Sequence, residues 1–333
     1  MFALASSQDE KNNTIMLTLN RINLLILIIL IPFSLTIGVA DFHWSQLLSA
    51  PEQLQLLRIS RLPRTLAVLL VGATLAVAGM VLQIVLKNRF IEPNMIGATQ
   101  SAGIGILAAS LLFPTSALII KMSLAALSAL IGIGIFSLLL QRLPPQQQLL
   151  VPLVGIVFGN IIEAIGTFIA YETDSMQMMS IWTSGDFSGV LAGRYELLWL
   201  TAILALVVYF LADQLSIAGL GQNLCTSLGI NYRQMTWLAL IIVAMITAVV
   251  VVTVGQIPFI GLVVPNIISR LAGDRLRQNL PSVVLLGANL VLFCDILGRV
   301  INMPYEIPIS TVFGILGTVI FLYLLFKGKR RAS

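Results

Sequence analysis

Residues 61–97 read RLPRTLAVLLVGATLAVAGMVLQIVLKNRFIEPNMIG. Arg61 and Arg64 open an apolar run long enough to cross a hydrocarbon core of about 30 Å. Gly72, Ala73, Ala76, Ala78 and Gly79 put small side chains along it, and Gln83 interrupts it near its far end. Small residues let helix backbones approach closely, so this helix belongs among other helices rather than against lipid. The polar stretch NRFIEPN then turns the chain, and a new helix restarts at Pro93.

The rest of the chain has the same character. Of 333 residues, 58% are hydrophobic and 10% charged, where a soluble domain carries about 25% charged residues. Mean hydropathy is +0.99. The reading is an all-α, polytopic membrane protein with about ten transmembrane helices. The candidate spans are 22–40, 62–86, 94–113, 117–141, 150–171, 193–213, 236–254, 257–272, 281–300 and 307–327. The eighth is short and carries Pro258 and Pro265, which predicts a broken or tilted segment. Residues 1–21 form a polar tail, read as disordered, and 328–333 a basic one. The first apolar run has no small-residue cleavage site after it and reads as a retained helix.

Placing the N-terminus inside puts thirteen Lys and Arg on the cytoplasmic side and six outside, so both termini are expected in the cytoplasm. The six exterior cations are Arg58, Arg61, Arg64, Lys121, Arg194 and Arg299, and they call for an explanation. No GxxxxGK[ST] occurs, so this chain has no phosphate-cradling loop of its own. One histidine, His43, and two scattered cysteines, Cys225 and Cys294, build neither a metal site nor a nucleophilic triad. No catalytic residue, metal ligand or bound cofactor is expected, and the chain is not read as an enzyme.

Four features remain. The run GQIPFIGLVVPNIISRLAGD (255–274) has glycines and prolines that free backbone groups, tolerated in a bilayer only beside protein or a water-lined path. Its VPNII (264–268) echoes EPNMI (92–96). Asp295 and Arg299 stand four apart near the end of the ninth span, either as a structural ion pair or with Arg299 free for an acidic partner. Glu163 lies deep in the fifth span, where an unpaired carboxylate costs about 2.5–3.5 kcal/mol. It faces a hydrated path or packs, hydrogen-bonded, against another helix. Finally, SIAGLGQNLCTSLGINYRQ (216–234) is too polar to cross a membrane, and its apolar residues fall on one narrow helical face between glycine breakers.

From about residue 55 onward the chain resembles the FecCD-type permeases of ABC importers for ferric siderophores, haem and vitamin B12. The resemblance rests on RLPRTLAVLLVGATLAVAGMVLQ with its asparagine-led loop, IWTSGDFSG (181–189), the LG-x6-LG loop (220–229), GQIPFIGLVVP and the DILGR…YEIPI ending. It implies a type II importer permease domain over 22–327, working as one of a pair of permeases. Two cytoplasmic ATPases, which bind the ATP, and an exterior binding protein complete the machine; no nucleic acid is involved.

The resemblance also implies residue roles. Leu220, Leu224 and Leu228 would dock coupling helices on the ATPase, with Gly221 and Gly229 setting the turns; family members often carry acids where Gln222 and Asn223 stand. Arg61, Arg64 and Arg299 would receive glutamates of the binding protein. Asn88, Arg89, Phe90 and Pro93 would form the inner gate. Glu163, Trp182 and Gly185 would line the path or close its outer side. NRFIEPN and VPNII point toward the branch that handles catecholate and related siderophores, in which the second permease is often a different chain, so a heterodimer is favoured over a homodimer. The alternatives are haem or a cobalamin-type cargo, or a secondary transporter driven by an ion gradient, which would need paired intramembrane carboxylates beyond Glu163.

Overall fold

The computed structural model describes residues 2–38, 40, 42, 45, 50–142, 150–273 and 275–329. His43 and the basic tail from 330 onward lie outside them. Among the described residues every regular element is a helix. In chain order these are α1 (Phe2–Thr36), α2 (Pro51–Leu56), α3 (Leu62–Val85), α4 (Ala98–Leu112), α5 (Leu118–Gln141), α6 (Leu150–Glu172) and α7 (Met176–Thr183). There follow α8 (Leu198–Leu220), α9 (Gln222–Ser227), α10 (Tyr232–Val254), α11 (Ile260–Ala272), α12 (Leu276–Val300) and α13 (Ile309–Lys329). A π-helical turn, Leu57–Arg61, joins α2 to α3, and a 3-10 turn, Pro93–Ile96, precedes α4.

Eight of these segments are long and apolar enough to cross a membrane, and α4 and α11 are shorter apolar helices. Together they match the ten expected segments one for one. The centre is α3: 78% of its apolar window is buried, against 17–33% for the windows in α1, α5, α6, α8 and α13. Its small residues are the cause. Gly72 packs on the backbone of Gly287 in α12, where a Cβ would lie 2.5 Å from the Gly287 carbonyl oxygen. Gly79 packs equally closely on Gly261 in α11.

Two boundaries differ from the sequence reading. The first helix begins at Phe2, so the polar tail continues the helix of the first span instead of forming a separate coil. The sixth span does not stop near 213: α8 runs on to Leu220. Asp213 ends the apolar run without ending the helix, because it stays exposed and pairs with Arg277 of α12. A helix needs its backbone bonds kept, not an unbroken apolar surface.

The break in the eighth span is real. Gly255–Phe259 is not helical, and α11 covers only thirteen residues. Inside it, Pro265 has no N–H to give the carbonyl of Gly261. Gln83 of α3 supplies the missing donor, its Nε2 lying 3.0 Å from that oxygen. The one amide side chain in α3 thus satisfies the carbonyl that proline orphans in α11.

Candidate functional site

The predicted gate residues converge where α3, α4 and α11 meet. Asn88 is buried, and its Oδ1 accepts from Phe90 N at 2.8 Å, which closes the turn after α3. Phe90 is half-buried and sets its ring edge-on against Phe321 of α13, 6.0 Å between centroids. The exposed Arg89 offers its carbonyl to Asn266 Nδ2 at 2.7 Å. In return, Asn94 Nδ2 donates to Ile257 O at 3.1 Å. The asparagines of EPNMI and VPNII therefore each reach across to the other broken segment. Pro93 is buried and starts the 3-10 turn.

Sequence reasoning passed over Glu92, which sits in this junction. It is buried, and its Oε1 accepts from Phe259 N at 3.0 Å. Phe259 stands at φ 68°, a left-handed backbone that a bulky residue rarely adopts, as the N-cap of α11. Burial pushes the Glu92 carboxyl up to about 7, against the opposing pull of the Phe259 amide. Beside a proline in a polar loop, the residue looked like part of a solvated turn; only its partner on α11 reveals it.

Trp182 and Gly185, expected to close the outer side, pack on the same broken segment. Gln256 N donates to Trp182 O at 3.0 Å, and Asp186 N to Val254 O at 2.8 Å. A Cβ on Gly185 would fall 2.4 Å from Gln256 O, so glycine is required there by close approach. Glu163 is exposed in the middle of α6 and lines a crevice with Gln100, Trp182 and Gln256.

The residues expected to couple to an ATPase occupy a smaller element than the sequence suggests. Residues 216–220 finish α8, and α10 starts at Tyr232, leaving only α9 as a separate helix. Gly221 at φ 119° and Gly229 at φ 73° make the two turns, conformations that glycine adopts without a Cβ penalty. Cys225 is buried with its thiol directed at Ile217 O. Leu220, Leu224 and Leu228 point away, 64%, 49% and 60% exposed. Against Gly221 lies the Lys87 ammonium, so α9 and the gate loop are neighbours.

The three arginines expected to receive a binding protein are held by partners within the chain, Arg61 and Arg299 buried and Arg64 half-buried. Arg299 is 2% exposed: Nη1 donates to Ser34 O and Ile37 O at 2.8 Å, and Nη2 lies 2.6 Å from Asp295 Oδ2. Arg61 is buried and donates to Ile37 O and Ala40 O. Arg64 grips Asp295 at 2.8 Å and Glu306 at 2.7 Å. Three guanidinium groups face two carboxylates, and the surplus charge rests on carbonyls at the C-terminal end of α1, where the helix dipole favours cations. Asp295–Arg299 is thus the structural pair, extended into a network that joins α1, α3 and α12. Sequence reasoning missed Glu306, whose only signal was the charge imbalance the arginines left.

Comparison with known proteins agrees with this architecture. The chain is 43% identical over 309 residues to the petrobactin import system permease protein YclN of Bacillus subtilis, covering 92% of this chain and 98% of that one. It is 37% identical over 298 residues to the ferric-anguibactin transport system permease protein FatD of Vibrio anguillarum, covering 89% and 95%. Among solved structures, a metal-chelate type ABC transporter in an inward-facing conformation superimposes with a TM-score of 0.80 at 25% identity, over 93% of this chain and 99% of that one. The family model described as the FecCD transport family matches residues 26–327, and the chain belongs to that family.

Proposed function

We propose that this chain is the membrane-embedded permease subunit of an ABC importer for ferric siderophores of the catecholate-related kind, a reading supported by relatives named for petrobactin and ferric-anguibactin transport. It pairs with a second permease, favoured to be a different chain. The observation that carries the reading is α9. Beside the buried Cys225, Leu220 at the end of α8, Leu224 in α9 and Leu228 just after it are held out of the bundle. Exposed leucines on a polar loop fit a groove on a soluble partner. The partner is an ATPase dimer, and its closure on ATP would move α9, α8 and, through Lys87, the gate loop at Asn88–Phe90.

Both termini then lie in the cytoplasm, in the inner membrane, and the arginine end of the bundle faces the binding protein. There Arg58 and Arg194 stand in the open, and the Arg64–Glu306 pair forms the outward lip of the buried network.

Reconstitution in vesicles with the ATPase, the second permease and the binding protein tests this. Radioactive iron supplied as the ferric chelate should accumulate only when ATP and the ATPase are both present. Accumulation that persists without the ATPase and stops when an ion gradient is dissipated would replace this reading with secondary transport.

A further inference from the structure

The start of α11 lies inside the bundle, and its own sequence brings no cap for it. The N-cap residue is Phe259, whose side chain has no acceptor to offer. The first amides of a helix have no carbonyl one turn earlier to bond, and inside a membrane bundle their partners must come from protein. Glu92 meets this need from 167 residues away. Its Oε1 accepts from Phe259 N at 3.0 Å, and the Leu262 amide, in the first turn of α11, also stabilises the carboxylate. Negative charge suits this end of a helix dipole.

The same loop holds the break before α11 at a second point. Asn94 Nδ2 donates to Ile257 O at 3.1 Å, and the Thr99 hydroxyl fixes Asn94 by donating to its Oδ1 at 2.6 Å. One residue earlier, Gln256 N donates to Trp182 O at 3.0 Å, and Gly185 lets the chain pass against Gln256 O. Residues 255–259 are therefore gripped by two segments. One is the loop that begins with Asn88–Phe90, and the other is the segment expected to close the outer side. Among these contacts Glu92 is the one that brings a charge, and hydrogen bonds to a charged group are about twice as strong as neutral ones.

We propose that Glu92 is a positioning residue for transport: by capping α11 from the gate loop, it makes that loop, the break and the segment at Trp182–Gly185 shift as one body. Movement that reaches Asn88–Phe90 from α9 is then passed on to the outer closure, so opening at one end is tied to the state of the other. The inference rests on the importer reading above.

The test uses the complete importer in vesicles and reads iron accumulated per ATP hydrolysed. Glu92→Gln keeps the size of the side chain and removes its charge. Loss of one charge-assisted bond should lower that ratio about tenfold, with the ATPase rate held within about twofold. A residue that only held the fold together would lower uptake and ATP hydrolysis in step, so an unchanged ratio overturns the proposal. A second reading needs no variant of Glu92. Spin labels replace the exposed Arg89 and Arg270 in a chain freed of its two native cysteines. Their separation should hold within about 2 Å, no more than a small helix shift, between the nucleotide-free and ATP-bound importer. A larger change overturns the single body, whether or not the Glu92 variant folds. Uptake by the wild type that ignores ATP would overturn the importer reading instead.

Discussion

At one end of the bundle three arginines are folded inward, and at the other three leucines are held out. Arg61, Arg64 and Arg299 make their contacts with Asp295, Glu306 and the carbonyls that end α1. Leu220, Leu224 and Leu228 are among the more exposed apolar side chains outside the spans. Hydrophobicity alone would assign the opposite places. The difference separates two kinds of residue that look equally marked in sequence: charges that hold the molecule together and apolar groups that the chain itself leaves uncovered. A buried ion network is strongly destabilising to break, because one missing partner strands the other charges. An exposed leucine contributes almost nothing to the chain's own stability.

The largest expected effect follows from the arginine end. Asp295→Ala leaves Arg299 and Arg64 with half their counter-charge, and should lower stability by about 3–5 kcal/mol. Thermal unfolding of the detergent-solubilised chain would register it. Replacing Arg299 with Met alongside Asp295→Ala should recover much of the loss, since the pair is then removed whole. An unchanged unfolding midpoint in the single variant would show the network to be ornamental and the comparison to be wrong.

The leucine end predicts the reverse pattern, a large functional effect with a small structural one. Leu224→Asp should cut ATP-driven uptake at least about tenfold through loss of the ATPase contact, while unfolding shifts by no more than about 0.5 kcal/mol. Co-purification of the ATPase with the permease reports the contact directly. Normal uptake in this variant would remove the coupling role from α9.

Much of this was legible beforehand, for reasons that are themselves physical. Span length and the small-residue face of α3 are local properties, and both held. Two glycines and two prolines announced the break before α11, because each acts on its own backbone. Partners separated by hundreds of residues were not legible. Nothing near Gln83 says that its amide will meet Gly261, and nothing near Glu92 names Phe259. The arginines are the sharpest case: RLPRT supplies charge, but Glu306 and the C-terminal turn of α1 decide whether that charge faces water. Asp213 misled for a related reason, since its partner Arg277 lies on a helix far along the chain.

The smallest expected effect concerns what remains exposed at the arginine end. Arg58 and Arg194 are exposed and make no ion pair among the described residues. A backbone bond from Ala192 N to Ile59 O, 2.9 Å long, holds their two segments together. Glu196, the acid nearest Arg194 in sequence, accepts from Gly193 N at 2.7 Å, and Glu52 of α2, near Arg58 in sequence, is exposed. Rim charges act on the rate of encounter more than on the lifetime of a complex. Reversing both, Arg58→Glu with Arg194→Glu, should therefore slow association of the binding protein by about three- to tenfold at low salt, with dissociation nearly unchanged. Salt of about 1 M shortens the screening length to about 3 Å and should erase the difference. Arg64→Glu makes the informative contrast: it should unfold the chain before docking can be read, because it puts a third acid among the buried partners of Asp295 and Glu306. If the rim double variant instead binds its partner at the wild-type rate in low salt, these two charges do not steer the encounter, and the exposed arginines of this end lose their role in docking.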